Sequence, residues 1–363
     1  MPERIGIVTG GGDCPGLNAV IRAVVKAAAH RGWESLGFLG GYEGMLEPLS
    51  YRPLDYTQMG GLLFRGGTIL GTSNKGRFAA KTGHGEVRRV PEEILQEAKR
   101  NFDALGLAAL VCIGGDGSLT IAQQLYETGV PVVGVPKTID NDLDATLMTF
   151  GFETAVTCAV DALDRLHSTA ESHNRVMVLE VMGRYAGWIA LSAGLAGGAD
   201  VILIPEIEFN YDSVVAKIQE REVQGKHFTI VVVAEGARLA GGDFVTAAEA
   251  GGNREARLGG ISQVVAGELE ARTGKESRAV VLGHLQRGGA PAAWDRHLCT
   301  RFGVSAVELI AEGRYGHMVA LTGTGIEPVL LTDAIDRIRT VPPDGELVRA
   351  ARALGTSFGN ESL

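Results

Sequence analysis

The segments VCIGGDGSLT (residues 111–120) and VGVPKTIDND (residues 133–142) decide how this chain is read. Each runs from a β-branched apolar stretch into Gly and Asp. The pattern predicts two neighbouring buried strands with Asp116, Asp140 and Asp142 at their carboxyl ends and Lys137 among them. Three carboxylates gathered in that way repel one another and cost stability unless something cationic lies between them. A metal-bound phosphate would satisfy the arrangement.

The same pattern recurs outward from this pair. Apolar runs at IGIVTG (5–10), ALVCIGG (109–115), VVGVP (132–136), VMVLEVM (176–182), VILIPE (201–206), TIVVVAE (229–235) and AVVLGH (279–284) read as strands. They are continuous rather than alternating, as expected of parallel strands covered on both faces. Helix-period segments lie among them at 17–30, 91–105, 120–128, 154–168, 211–224 and 259–273. The sum is a doubly wound α/β chain with two such sheets, in which ligands bind beyond the carboxyl ends of the strands. The Gly- and Ala-rich stretch 237–260 reads as a mobile surface loop or short insertion.

At 363 residues the chain is long enough for two domains of ordinary size. Its 45% hydrophobic and 21% charged content is that of a globular protein, and its 51 glycines fall in clusters after apolar runs rather than in repeats. A net charge of -9 argues against a general nucleic-acid binder. An anionic ligand must therefore be held by local cations and backbone N–H groups. Cys14, Cys112, Cys158 and Cys299 lack CxxC or zinc spacing and read as free thiols in a reducing compartment. Without a signal-peptide pattern or an apolar run long enough to cross a bilayer, a cytoplasmic protein is expected.

TGGGDCPGLNAVIRAVV (9–25) is strand, Gly-rich turn and helix. Gly10, Gly11 and Gly12 let a phosphate approach the backbone at a helix N-terminus, although a tight βα connection alone would also explain them. The turn is no P-loop, since no GK[ST] follows, and its spacing is wrong for a dinucleotide fingerprint. IGGDGS repeats the logic: Gly114, Gly115 and Gly117 open the backbone, Asp116 can hold Mg²⁺, and Ser118 lies near the helix start; an Asp there could also be an N-cap. In PKTIDND, Thr138 can donate to a phosphoryl oxygen and Asp140 can take a proton from an attacking hydroxyl. Further on, His173, Arg175 and Arg184 flank one strand, and Arg278, His284 and Arg287 flank another. Arginines pair fork-like with phosphate, which suits a sugar phosphate, and Glu235 could accept from its hydroxyls.

The ordered set GGGDCPGLNA, FRGGTILGTS, IGGDGS, TIDND, EVMGRYAGW, AGGAD, IPE and LGHLQRGG resembles the 6-phosphofructokinases over almost the whole chain, within a group related to both ATP- and pyrophosphate-dependent enzymes. The resemblance implies two doubly wound, mostly parallel three-layer sandwich domains with the active site in the cleft between them. Residues 1–151 plus about 286–336 would hold the donor phosphates and Mg²⁺, and 152–285 plus about 337–363 fructose 6-phosphate. It implies Mg²⁺-dependent transfer of a phosphoryl group to the 1-hydroxyl of fructose 6-phosphate, with Asp140 as base, Thr138 beside it, Asp116 on the metal and Arg184 on the transferred group. Gly12, Asn74, Lys75 and the loop Gly115, Asp116, Gly117 and Ser118 would meet the donor. Thr138, Ile139, Asp140, Met182, Gly183, Arg184, Glu235, His284 and Arg287 would surround the sugar phosphate. Arg175 and Arg278 match arginines that the family supplies from a neighbouring subunit, so a homo-oligomer, tetramer or dimer, is implied.

Two positions depart from the ATP enzymes of the family. Lys137 replaces the glycine before TIDND, and Asn74–Lys75 stand where those enzymes carry a bridging arginine. Pyrophosphate users commonly place a second Asp after the metal-binding Asp, where it crowds the α-phosphate of ATP; here the residue is Gly117. ATP is therefore the expected donor and pyrophosphate the alternative. A non-catalytic regulatory subunit would be expected to lose Asp116, Asp140 or Arg184, and all three are present. His167 and the reduced turn QGKHF (224–228) stand where family members bind effectors, so nucleotide activation is expected to be weak or absent.

Overall fold

In a computed structural model of the chain, residues 3–73, 76–78, 89–242, 246–248 and 257–361 are described. The elements begin β1 (Arg4–Thr9), α1 (Leu17–His30), β2 (Glu34–Phe38), β3 (Tyr51–Pro53), α2 (Glu92–Ala104), β4 (Ala109–Gly114), α3 (Asp116–Glu127), β5 (Val132–Pro136) and α4 (Phe152–His173). They continue with β6 (Val176–Val181), α5 (Trp188–Ala196), β7 (Val201–Leu203), α6 (Tyr211–Val223), β8 (Thr229–Ala234), β9 (Thr246–Ala248), β10 (Arg257–Leu258), α7 (Ile261–Thr273) and β11 (Ser277–Val281). Last come α8 (Ala293–Ala311), β12 (His317–Leu321), β13 (Ile326–Leu330), α9 (Leu331–Ile335) and α10 (Glu346–Ala353). The chain divides into two compact units. The first is Met1–Ile139, Leu143–Thr154 and Arg287–Ile338; the second is Asp140–Asp142, Ala155–Gln286 and Arg339–Leu363.

The first unit holds a seven-stranded sheet in the order β13-β12-β5-β4-β1-β2-β3. Its interior strands are parallel, and β3 and β13 close the edges antiparallel. Every residue of β4 and β5 is buried, which is why their sequences are apolar without alternation. The edge strands carry Pro53 and Pro328, tolerated there because an edge strand can spare an N–H. The second unit holds a four-stranded, wholly parallel sheet, β11-β6-β8-β7, with β6, β7 and β8 buried throughout. Valines of these strands pack against Val265 and Leu269 of α7. Within the stretch 237–260, β9 and β10 form a short antiparallel pair, and most of the rest lies outside the described residues.

All seven expected strands are present. β7 stops at Leu203, two residues before Pro205, and β11 starts earlier than AVVLGH because Ser277 and Arg278 pair with Val176 and Met177. β2, β3 and β13 escape the sequence reading because ESLGF, YRP and IEPVL are short and interrupted by charged, Gly or Pro residues; β12, HMVAL, is apolar but only five residues long.

Two helices receive their N-terminal acceptor from distant, buried carboxylates. Asp295, fully buried on α8, accepts from the N–H groups of Gly151 (3.0 Å) and Thr154 (2.8 Å) and from the Thr154 hydroxyl at the start of α4. Burial raises its pKa above the ordinary carboxylate value, and the hydrogen bonds at the helix start work against that rise. In the second unit Glu180, on β6, accepts from Gly260 N–H (3.2 Å), Ser262 N–H (3.0 Å) and Ser262 Oγ (2.9 Å) at the start of α7. A carboxylate can accept on both oxygens, whereas an amide must turn one donor toward an N–H. Asp295→Asn is therefore expected to lower unfolding stability by about 2 kcal/mol, read from the denaturant midpoint at unchanged slope.

Candidate active site

In the first unit, two glycine turns leave neighbouring strands side by side. β1 ends at Thr9 and runs into Gly10–Gly12; β4 ends at Gly114 and runs through Gly115 into α3. Gly10 N–H donates to Ile113 O at 2.9 Å, so the turns lie against each other. Ser118 fills the space between them. A Cβ on Gly114 would stand 2.2 Å from Ser118 Cβ, and one on Gly10 2.5 Å from Ser118 Oγ. Tyr42 Oη donates to Ser118 O at 2.8 Å. Ser118 is buried, so its first-turn backbone, rather than an exposed hydroxyl, is what this position offers. The N-cap residues of α1 and α3 are Gly16 and Gly115, neither of which brings a capping side chain. Asp116 is the first residue of α3 rather than its cap, and α3 begins four residues earlier than expected.

The segment after β5 continues this edge. Lys137 is buried; its N–H donates to Gly114 O (2.9 Å) and its ammonium to Gly12 O, so it braces both glycine turns from below. The Thr149 hydroxyl donates to Thr138 O at 2.7 Å. Ile139 is fully buried. Arg287 lies over the first turn: its Nη1 donates to Asp13 O at 3.3 Å and would be 3.0 Å from a Cβ on Gly12. A Cβ on Gly117, by contrast, would meet nothing within 4 Å.

Asp140, Asn141 and Asp142 group with the second unit. Asn141 adopts φ 53°, a left-handed conformation that Asn tolerates better than most residues, and so turns the chain sharply between the two aspartates. One carboxylate oxygen of Asp140 is buried. In the sheet of this unit, β6 ends into Met182, Gly183 and Arg184, while the adjacent β8 ends into Glu235 and Gly236. Glu235 N–H donates to Val181 O at 2.9 Å and Gly236 N–H to Gly183 O at 3.1 Å, which sets Arg184 and Glu235 side by side along the edge. The approach is so close that a Cβ on Gly236 would stand 1.9 Å from Arg184 O. On the other side of β6, β11 delivers the exposed His284, and Gln286 Oε1 accepts from Met182 N–H at 2.8 Å.

The phosphofructokinase family model matches residues 4–310. An ATP-dependent 6-phosphofructokinase of Chloroflexus aurantiacus is 54% identical over 359 residues, covering 99% of this chain and 98% of that protein. The chain belongs to the phosphofructokinase family. A pyrophosphate–fructose 6-phosphate 1-phosphotransferase of Amycolatopsis mediterranei is 51% identical over 341 residues, 93% of this chain and 96% of that protein. Among solved structures, phosphofructokinase from Pichia pastoris in the T-state matches with TM-score 0.81 at 30% identity; the match covers 98% of this chain and 37% of that longer one. A pyrophosphate-dependent phosphofructokinase from Marinobacter aquaeolei, at 22% identity, shares the fold with TM-score 0.78 over 99% of this chain and 93% of its own.

Family-motif residues thus gather in two sets: Gly12, Gly115–Ser118, Lys137, Thr138 and Arg287 in the first unit, and Asp140, Met182–Arg184, Glu235 and His284 in the second. Arg175 and Arg278 join neither. They sit at the amino-terminal end of β6 and β11, both ion-paired with Glu276, whereas Met182 and His284 follow the carboxyl ends. A strand of six residues rises ~3.3 Å per residue, so the two ends are roughly 20 Å apart. Asn74 and Lys75 lie outside the described residues. His167 Nε2 donates to Gly197 O (2.7 Å), near the Arg221–Asp200 ion pair. Among the described residues no group of three His, Cys, Asp or Glu side chains could hold a metal ion, and no helix is long and apolar enough to cross a membrane.

Sequence reasoning missed the supporting groups Asn18, Glu206 and Gln286. Asn18 is buried in an otherwise apolar face of α1 and binds Arg65 O, Gly66 O and Ile69 N–H, which fixes the FRGG loop. That lone amide within an apolar stripe was the available signal. Gly236→Ala is expected to displace the Arg184 carbonyl and lower turnover at least about tenfold while far-UV circular dichroism is retained. Unchanged turnover would mean the Arg184 loop does not need this contact.

Proposed function

We propose that this chain is a 6-phosphofructokinase that transfers the γ-phosphoryl group of ATP to the 1-hydroxyl of fructose 6-phosphate, giving fructose 1,6-bisphosphate and ADP. The single observation that carries the reading is the pair of glycine-opened helix starts on one sheet edge, one of them bearing Asp116, in a chain that retains Asp140 and Arg184. As a member of this family the chain is an enzyme, a phosphotransferase acting on a hydroxyl group.

Donor phosphates lie against Gly12 and the Gly115–Ser118 turn, where helix N–H groups and the positive dipole ends favour them. A divalent ion of the Mg²⁺ type needs only one or two protein carboxylates, with phosphate oxygens and water completing its shell. Asp116, alone in the first turn of α3, fits that need. When bound, the ion neutralises phosphate charge. Thr138 donates to a phosphoryl oxygen. Asp140 accepts the proton of the 1-hydroxyl as its oxygen bonds to the γ-phosphorus and the bond to the bridging oxygen of ADP breaks. Arg184 meets the charge spread over the transferred group. Ile139, Met182, Gly183, Glu235, His284 and Arg287 shape the sugar-phosphate site, and Asn74 and Lys75 contribute to the donor side.

Of the two donor-side positions, Gly117 and Lys137, it is Gly117 that selects the donor. The open space beside Gly117 leaves room for a nucleotide. Lys137, held by the glycine turns, adds a cation compatible with either donor. The test is the initial rate of fructose 1,6-bisphosphate formation from fructose 6-phosphate and Mg²⁺ with ATP or pyrophosphate as sole donor. ATP alone should support turnover, and Gly117→Asp should lower kcat/KM for ATP about 10²–10³-fold by placing a like charge beside the nucleotide phosphates. Turnover with pyrophosphate alone would overturn the donor assignment.

Arg175 and Arg278 serve the 6-phosphate bound to a second copy of the chain, because they stand a strand's length from the Met182–Arg184 edge of their own copy. The enzyme is accordingly a homo-oligomer, dimer or tetramer, and we place it in the cytoplasm, in keeping with its four free thiols. Asp140→Ser and Arg175→Ala are each expected to lower activity by about 10²-fold or more. Co-expressed, they should regain activity in mixed oligomers carrying one intact site. Absence of complementation, with mixed oligomers demonstrated, would contradict a shared site.

A further inference from the structure

Beyond the groups that face the reactants, one half-buried carboxylate joins the two backbone segments that carry them. Glu206 follows β7. Its Oε1 and Oε2 accept from Gly187 N–H at 3.0 and 3.1 Å, and Oε1 accepts also from Val341 N–H at 2.7 Å. Gly187 ends the segment that starts at Met182, where Gln286 holds the other N–H, so the stretch carrying Arg184 is pinned at both ends by side-chain oxygens. Val341 lies two residues beyond Arg339. Arg339 N–H donates to Asp142 O at 2.8 Å, which ties down the turn that carries Asp140. Arg339 O in turn accepts from Trp188 Nε1 at 3.0 Å, and its guanidinium lies 4.6 Å from the centre of the Trp188 ring.

The arrangement is built for this carboxylate. A Cβ at position 187 would stand 2.4 Å from Ile204 Cβ and 2.9 Å from Glu206 Oε2, so only glycine admits the contact. Burial pushes the Glu206 pKa up, a cost borne by a group whose polar partners are backbone N–H groups. Resting on the phosphoryl-transfer reading above, we propose that Glu206, with Trp188 and Arg339, is a positioning network that holds Arg184 and Asp140 in mutual register. A misplacement of ~1 Å costs on the order of 10²-fold in rate even when its origin is remote from the chemistry.

Two variants test the network by separating kcat from KM. Glu206→Gln keeps the shape but turns a donor toward Gly187 or Val341, and kcat should fall about 10–100-fold with KM for fructose 6-phosphate and ATP within about twofold. Trp188→Phe keeps an aromatic ring near Arg339 but removes the N–H together with the second ring, leaving Glu206 in place, so the kcat loss should be smaller, about 3–10-fold, again at unchanged KM. A lowered Tm with wild-type kcat per folded enzyme in both variants would overturn the inference and leave Glu206 a structural cap. So would raised KM at wild-type kcat. If Glu206→Gln does not fold, Trp188→Phe decides by the same criterion. Wild-type turnover is the control: its absence with either donor removes the functional reading and this inference together, whereas wild-type turnover with unaffected variants removes this inference alone.

Discussion

A helix that follows a strand in a parallel sheet turns its N-terminal N–H groups toward the carboxyl edge of that sheet, and each of those groups needs an acceptor. This one requirement organises the molecule. At α4 and α7 the acceptor is internal, supplied by Asp295 and Glu180 from distant elements. At α1 and α3 the N-cap is glycine, and the turn before the helix is opened by further glycines. The first pair of helix starts is occupied by the protein's own carboxylates. At α3 the space beside Gly117 is open and suits an anion from outside, with Asp116 the proposed partner of its metal, whereas at α1 Gly16 itself packs against Cys299 and Phe150.

The chemistry follows from that division. Phosphoryl transfer asks the protein for position and electrostatics more than for covalent intermediates. On the proposed reading the glycine turns supply the first by close approach, and Lys137 holds them by donating its ammonium to a carbonyl of one and its backbone N–H to a carbonyl of the other. In the other unit the β6–β8 register, continued by the Glu235–Val181 and Gly236–Gly183 hydrogen bonds, sets Arg184 beside Glu235, where the proposed reading needs its charge. The same register separates Arg175 and Arg278 from that edge, the observation on which the proposed shared site rests.

Much of this was legible in the sequence because it is local. Continuous apolar runs marked β4, β5, β6 and β8, and each ran into Gly, Asp, Glu or Arg residues of the family motifs. The order of those motifs also carried the family. Three kinds of feature were not legible. Edge strands such as β3 and β13 bury little and so lack an apolar signature. The carboxylates Asp295, Glu180 and Glu206 act across 141, 82 and 135 residues of chain, and nothing beside them in sequence announces a partner. Lys137 was read as a cation among carboxylates, whereas its ammonium donates to a backbone carbonyl, a contact that only the folded turn reveals.

The most direct test of the account is a crystal structure of the protein with Mg²⁺ and a non-hydrolysable ATP analogue. The account predicts the β- and γ-phosphates against the N–H groups of the Gly10–Gly12 and Gly115–Ser118 turns, with Asp116 toward the metal and no anion at the starts of α4 or α7. Phosphates bound elsewhere on the chain, with the two glycine turns empty, would contradict it.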